Sequence, residues 1–283
     1  MIEHKTIDEA IDYYNIDTAY RQRCHECADR IKNSGVFSDA FDRVYKELYL
    51  GDMRRALRVW SIRDVNELFS EGIDPFVTNL MIVAGYEMHI SNMRKCGLDP
   101  QQTFNHKAGI KGAFESDLKK KGRDGVRIGL MVWAVLFIRV RILEIGRLQF
   151  EYADTDDGHV VKIHIPGGEK LDIESVVKSI EDSKKEIERL FGDTSCDYVC
   201  HSWLLSNRLF LLLDQDSNIY RFHQLFDVTD GKNCNYAVLD FLFNTEKCED
   251  YSALLENTSL QKKVKQALLD GEDFYEGRGV LKN

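Results

Sequence analysis

Positive charge is in deficit in this 283-residue chain: 38 Lys and Arg stand against 47 Asp and Glu, a formal net charge of -9. Nucleic acids and anionic membrane surfaces recruit proteins through a positive footprint, so both are set aside as general partners. A long apolar run is missing as well. The most hydrophobic stretch, IGLMVWAVLFI at 128–138, covers eleven residues and is followed by Arg139 and Arg141. A membrane span needs about 20, so a buried helix is expected there. The opening MIEHKTIDEAIDYY has no basic start followed by an apolar run, and no secretory leader is expected. Seven cysteines, an odd number scattered over both halves, read as reduced thiols, and a cytoplasmic location follows as an expectation. Cys24 and Cys27 have the spacing of half a zinc site, but no second pair follows to complete four ligands. No metal is expected, and no internal repeat is found.

What is present changes character at about residue 146. Before it the chain reads helical, with segments at 18–33 and 37–50 and with Asp39, Asp64 and Asp74 standing as N-caps. Pro75 suits a first helical turn. KAGIKGAFESDLKKKGRDG (107–125) is rich in glycine and lysine and reads as a loop or flexible crossing, with room for a short helix inside it, and a longer helix follows from about Val126 to about Ile145. After Gly146 come RLQFEY (147–152) as a strand, TDDGH (155–159) as a hairpin turn and VVKIHIP (160–166) as a second strand. Apolar residues return at helical spacing over 171–191. CDYVCHSWL (196–204) and SNIYRFHQLFDV (217–228) read as strands, RLFLLL (208–213) as a short helix, and 251–269 as a helix. YAVLDFLFN (236–244) fits a helix or a buried strand. A strand–helix–strand crossover favours parallel pairing of 160–166 with 197–204. The expected architecture is α+β, with a helical domain at 1–145 and a mixed-sheet domain at 146–283.

The junction VVKIHIPGGEKLDIESVVKSI (160–180) passes from strand through a glycine turn into a helix. Free amides at a helix N-terminus attract anions, and glycine lets backbone approach a ligand closely. Glu169, Asp172 and Glu174 lie at the same helix start, where carboxylates satisfy the dipole and compete with a phosphate. A Pro-Gly-Gly turn before an Asp-capped helix explains the junction without any ligand, so both readings stay open.

RLQFEY, VKIHIPGGEKLD, YVCHSWLL and LDQDSNIYRFHQLFDV resemble a bacterial group of acyltransferase-domain proteins. That group has a helical N-terminal domain and a GNAT-like C-terminal domain. The resemblance is carried by the C-terminal half. It implies a pantetheine arm inserted between two splayed parallel strands, here 160–166 with Ile165 at its end and 197–204. It implies pyrophosphate on backbone amides of Gly167, Gly168, Glu169, Lys170 and Leu171, with acetyl-CoA or another acyl-CoA as co-substrate. An amine then attacks the thioester directly. The superfamily's usual cradle has Gln or Arg, two residues, then Gly-x-Gly or Gly-x-Ala, whereas this chain has IPGGEKLD.

Acylating an amine requires a group to take the ammonium proton and benefits from a donor to the departing thiolate. Alternation puts Lys162 and His164 on one strand face and Val161, Ile163 and Ile165 on the other. His164 is the first candidate base, since imidazole titrates near neutrality. His201 and Ser202 lie near the carboxyl end of the neighbouring strand, where parallel α/β units bind ligands. Cys200 and His201 point to opposite faces and make no catalytic pair. Tyr220, with His223 nearby, is a candidate proton donor that the superfamily often uses, although a strand face shared with Phe222 and Phe226 also suits a core position. Glu151, Asp214 and Asp216 complete the acidic candidates, and turn chemistry accounts for the aspartates. The leading expectation is acyl-CoA-dependent transfer to an amine, on a small molecule rather than a protein. The competing one is a GNAT-fold binding module without chemistry.

Overall fold

The computed structural model describes residues 2–52, 72–101, 104–167, 170–245 and 247–282. Asp64, Gly168 and Glu169, singled out above, lie outside the described residues. The chain divides into two compact units, Met1–Leu143 and Glu144–Asn283.

The first unit is helical: α1 His4–Tyr14, α2 Arg21–Lys32, α3 Gly35–Tyr49, α4 Val77–Ala84, α5 Tyr86–Lys95, α6 Phe104–Lys121 and α7 Ile128–Ile138. Ile7, Ala10, Ile11 and Tyr14 repeat at three and four residues and form the buried stripe of α1. The IGLMVWAVLFI stretch is the buried helix expected of it, with Met131 and Ala134 to Ile138 out of solvent. Among the described residues no helix is long and apolar enough to cross a membrane. Cys24 and Cys27 are buried in α2, and burial pushes both thiols up to about 12.

Three expectations in this unit fail for identifiable reasons. The supposed loop at 107–125 is mostly α6. Gly109 is a contact there, not a breaker: a Cβ on it would stand 2.5 Å from the Phe137 ring, so its bare backbone lets α7 approach. Asp39 sits inside α3, which Ser34 caps by accepting from the Phe37 amide. The helix expected to reach Ile145 stops at Ile138, and Val140 takes a left-handed backbone (φ 55°) before strand β1, Ile142–Ile145. Asp74 does accept from the Phe76 amide at the turn before α4.

From Ile142 onward the chain builds a six-stranded mixed sheet. Its remaining strands are β2 Leu148–Thr155, β3 Gly158–His164, β4 Asp197–Ser202, β5 Phe226–Asn233 and β6 Tyr275–Leu281, in the order β1-β2-β3-β4-β6-β5. The hairpin β2–β3 is antiparallel, and the crossover through α8, Ile173–Phe191, makes β3 and β4 parallel as expected. Apolar alternation fixes the register. Phe150, Val161, Ile163 and Cys200 are buried toward the back face, where α8 packs: the Phe191 ring lies 4.1 Å from that of Tyr152, and the Tyr198 and Ser183 hydroxyls meet.

Further helices follow at α9 Asn207–Leu212, α10 Asn218–His223, α11 Asn235–Phe243 and α12 Ser259–Leu269. Leu209, Val238, Phe243, Val264, Leu268 and Phe274 make a second core here. The expected strand at 217–228 is a helix for its first half, because Ser217 caps it by accepting from the Tyr220 amide. Only from Phe226 does the chain extend. The ambiguous stretch at 236–244 is helical, and α12 starts at Ser259 behind a Thr258–Gln261 capping box. Strand β6 was not anticipated at all. Its alternate residues Gly277 and Gly279 carry no apolar side chain to reveal the period.

Candidate active site

The parallel ladder of β3 and β4 pairs Val160 with Asp197, Val161 with Tyr198 and Lys162 with Val199. Among the described residues no ladder pair joins the two strands beyond that point, although β3 runs on to His164 and β4 to Ser202. Each strand keeps its other neighbour: His164 pairs with Gln149 on β2, and His201 with Arg278 on β6. The two strands therefore part at their carboxyl ends, the end at which parallel units bind ligands.

Ladder partners also fix which side chains share a face. Glu151 opposes Lys162, Lys162 opposes Val199, and Val199 opposes Val280. Two residues further along lie His164 and His201, and His201 opposes Arg278, so all of these occupy the front face. The structure thus brings His164 and His201 onto one face, on either side of the parting strands.

Glu151 anchors the left side of that face. It is 5% exposed and accepts from Lys162 Nζ at 3.0 Å and from His164 Nε2 at 2.9 Å. Burial acts to raise its pKa, but the His164 hydrogen bond and the Lys162 charge outweigh it and hold the carboxyl below its ordinary value. An ionised Glu151 fixes the His164 ring. On the right side, His201 is exposed on β4, yet partial desolvation, and then Arg278, Lys162 and His164, hold it below the ordinary imidazole range against an opposing pull from Glu276. It is therefore neutral near pH 7 and able to accept a proton.

The other candidates are placed differently. Ser202 points to the back face, and its Oγ accepts from the Leu204 amide at 3.1 Å to cap the 3-10 turn Trp203–Leu205. Tyr220 is in α10 rather than on a strand, and its ring stacks on Phe210 at 4.3 Å, so it does not share a strand face with Phe226. His223 stacks on the same Phe210 at 4.2 Å. Cys200 is buried at 1% exposure, and burial pushes its thiol up to about 12, unsuited to a nucleophile. Asp214 pairs with Lys263 at 2.8 Å.

At the glycine turn, Asp172 caps α8 by accepting from the Ser175 amide and hydroxyl, each at 2.9 Å, and these bonds hold its carboxyl below the ordinary range. One of the amides that a phosphate would use is therefore taken. Ile165 follows the end of β3, Gly167 lies in the turn, and Leu171 is buried. The Lys170 carbonyl accepts from Nε of Arg147, a buried residue whose backbone amide donates to Ser179 Oγ. Sequence reasoning missed this basic residue beside the turn, because only the antiparallel β2–β3 register, with Gln149 opposite His164, brings the start of β2 next to the end of β3.

Residues 142–281 match the family model of the GNAT-like C-terminal domain. This part of the chain is a GNAT-like C-terminal domain. Solved structures share the fold across both units. A mutant acyltransferase in complex with octanoyl-CoA is 17% identical with a TM-score of 0.78, over 98% of this chain and 88% of that one. An acyltransferase in complex with decanoyl-CoA is 19% identical with a TM-score of 0.71, over 97% and 98%. Another, in complex with decanoyl-CoA and teicoplanin, is 17% identical with a TM-score of 0.77, over 97% and 87%. No match was found among curated proteins.

Proposed function

We propose that the chain is an acyl-CoA-dependent N-acyltransferase acting on a small-molecule amine. The observation that carries this reading is the parting of β3 from β4 after Lys162 and Val199, with His164 and His201 beside the gap on one face. An extended thioester arm needs such a gap, because a continuous ladder leaves no backbone amides or carbonyls for it. The GNAT-like domain and the acyl-CoA complexes of its structural neighbours support the donor class. Those neighbours hold octanoyl and decanoyl chains, so a medium-chain thioester is the donor to favour over acetyl-CoA. The teicoplanin complex supports a small-molecule acceptor.

In this reading the amine nitrogen attacks the thioester carbonyl carbon, the C–N bond forms, and the C–S bond breaks to release the coenzyme A thiolate. His201 takes the proton lost by the ammonium, since its pKa is lowered and it faces the gap. His164 is committed to Glu151 and acts as a fixed neighbour that keeps His201 neutral. Lys170, Leu171 and the turn from Ile165 onward would receive the diphosphate. Gly167 would let the ligand approach closely.

Asp172 occupying the helix start favours a second reading, a GNAT-fold binding module that retains ligand recognition without transfer. One experiment separates the two. Octanoyl-CoA should stabilise the protein by about 3 kcal/mol at 100-fold over its dissociation constant, and thiol release should require an added amine. His201→Ala should lose release while keeping the thermal shift. A shift without release across an amine panel supports the module; no shift with any coenzyme A thioester overturns both.

A further inference from the structure

The strand EGRGV (276–280) alternates functional side chains with glycine. Its two glycines face the back, where no side chain fits. A Cβ on Gly277 would collide with the Leu205 carbonyl group, and one on Gly279 would stand 2.8 Å from Phe226 Cβ and 2.9 Å from Leu205 Cδ1. β6 is thereby pressed against the turn behind it, and Glu276 and Arg278 are both presented on the front face. His201 is the direct cross-strand partner of Arg278. Glu276 lies two residues back on the same face, about 7 Å along the strand. Gly231 on β5 makes room for the guanidinium, because a Cβ there would stand 2.9 Å from Arg278 Nε.

Both charges act on His201 through space, but neither is held by a direct side-chain contact. Among the described residues Arg278 and Glu276 make no hydrogen bond or ion pair with a side chain, and they do not pair with each other. By contrast Glu151, Lys162 and His164 satisfy one another. The front face of β6 therefore presents an unpaired cation directly opposite His201 and an unpaired anion two residues along the same strand, both on one side of the neutral imidazole. A ligand complementary to it carries an ammonium and a carboxylate a few ångströms apart.

We infer that the acceptor is an amine bearing a neighbouring carboxylate, the α-amino acid class, with Arg278 receiving the carboxylate and Glu276 drawing the ammonium toward His201. This rests on the acyltransfer reading for the choice of nucleophile. Arg278 suits the task because its planar fork donates two parallel hydrogen bonds to a carboxylate. Glu276 is a positioning residue, since it raises the local concentration of the cationic nucleophile while His201 takes the proton.

The test uses the full chain, octanoyl-CoA, and the standard α-amino acids beside their methyl esters, which keep the amine and lose the anion. Turnover is followed by thiol release, and acid and ester binding by calorimetry. The best acid should show a KM about 10- to 100-fold below that of its ester, as expected for one charge-assisted pair. Arg278→Gln should erase that ratio by raising KM for the acid alone, and Arg278→Lys should restore part of it. Glu276→Gln should raise KM for acid and ester together. Equal KM and equal affinity for acid and ester in the unmodified protein overturn the inference, as does a ratio that Arg278→Gln leaves intact. If octanoyl-CoA neither binds nor turns over, the acyltransfer reading falls instead, and the acid-to-ester binding ratio still decides the anion site.

Discussion

Replacing Gly277 by alanine tests whether β6 is pressed against the 203–205 turn as described. Carbon atoms in contact prefer a separation of about 3.5–4.0 Å, and the added Cβ would stand 2.5 Å from Leu205 Cβ with the Leu205 carbonyl nearer still. A flexible side chain could turn aside, but a carbonyl in a capped turn cannot. The strand or the turn must therefore shift by roughly 1 Å. Overpacking costs about 1–3 kcal/mol where side chains repack, so about 3 kcal/mol is expected with backbone in the way. For a unit of about 140 residues that lowers the midpoint of thermal unfolding by roughly 10 °C. Differential scanning calorimetry would measure it, with urea unfolding as a second readout. Gly112→Ala is the matched control. It lies in α6 with nothing within 4 Å of the added carbon, and it should stabilise by about 0.5–1 kcal/mol. A Gly277→Ala protein as stable as the parent would refute the packing argument and, with it, the enforced orientation of Glu276 and Arg278.

Three further outcomes are expected. The pH profile of kcat/KM should rise through a midpoint below 6.5 as His201 loses its proton; Arg278→Gln should move that midpoint upward and Glu276→Gln downward, because these charges respectively lower and raise the imidazole pKa. A midpoint unmoved by both would remove His201 from the proton transfer. Glu151 has a depressed folded pKa, so its contribution to stability is present above about 4.5 and lost as pH falls through the folded value; Glu151→Gln should flatten that acid limb in unfolding measured from pH 6 to 3. Asp172→Ala should cost about 1 kcal/mol through loss of the α8 cap, and a change much below 0.5 kcal/mol in urea unfolding would mean that the cap is idle.

Much of the fold was written locally. The 3.6-residue stripe of α1, the unbroken apolar run of α7 and the two-residue alternation of β3 each point to one conformation, because burying a single face demands one period. The strand–helix–strand order was enough to make β3 and β4 parallel. Local signals failed where a residue's meaning lay in its neighbour. Gly109 looked like a loop residue and is a helix contact, and SNIYRFH alternates like a strand but is turned into helix by the Ser217 cap.

The candidate site divides the same way. His164 and His201 were legible as polar residues near the ends of two adjacent strands, because alternation alone sets their faces. Glu151 was visible as a candidate carboxylate, but its double hold on Lys162 and His164 required the hairpin register. Ser202 and Tyr220 carry suitable chemistry in sequence, yet their partners are a turn amide and a phenyl ring. Arg278 and Glu276 were invisible, because the glycines between them erase the apolar period of β6, and their nearness to His201 arises from a pairing across some 75 residues of chain. A short-range period can say which way a side chain faces; only the order of strands in the sheet decides what it faces beside.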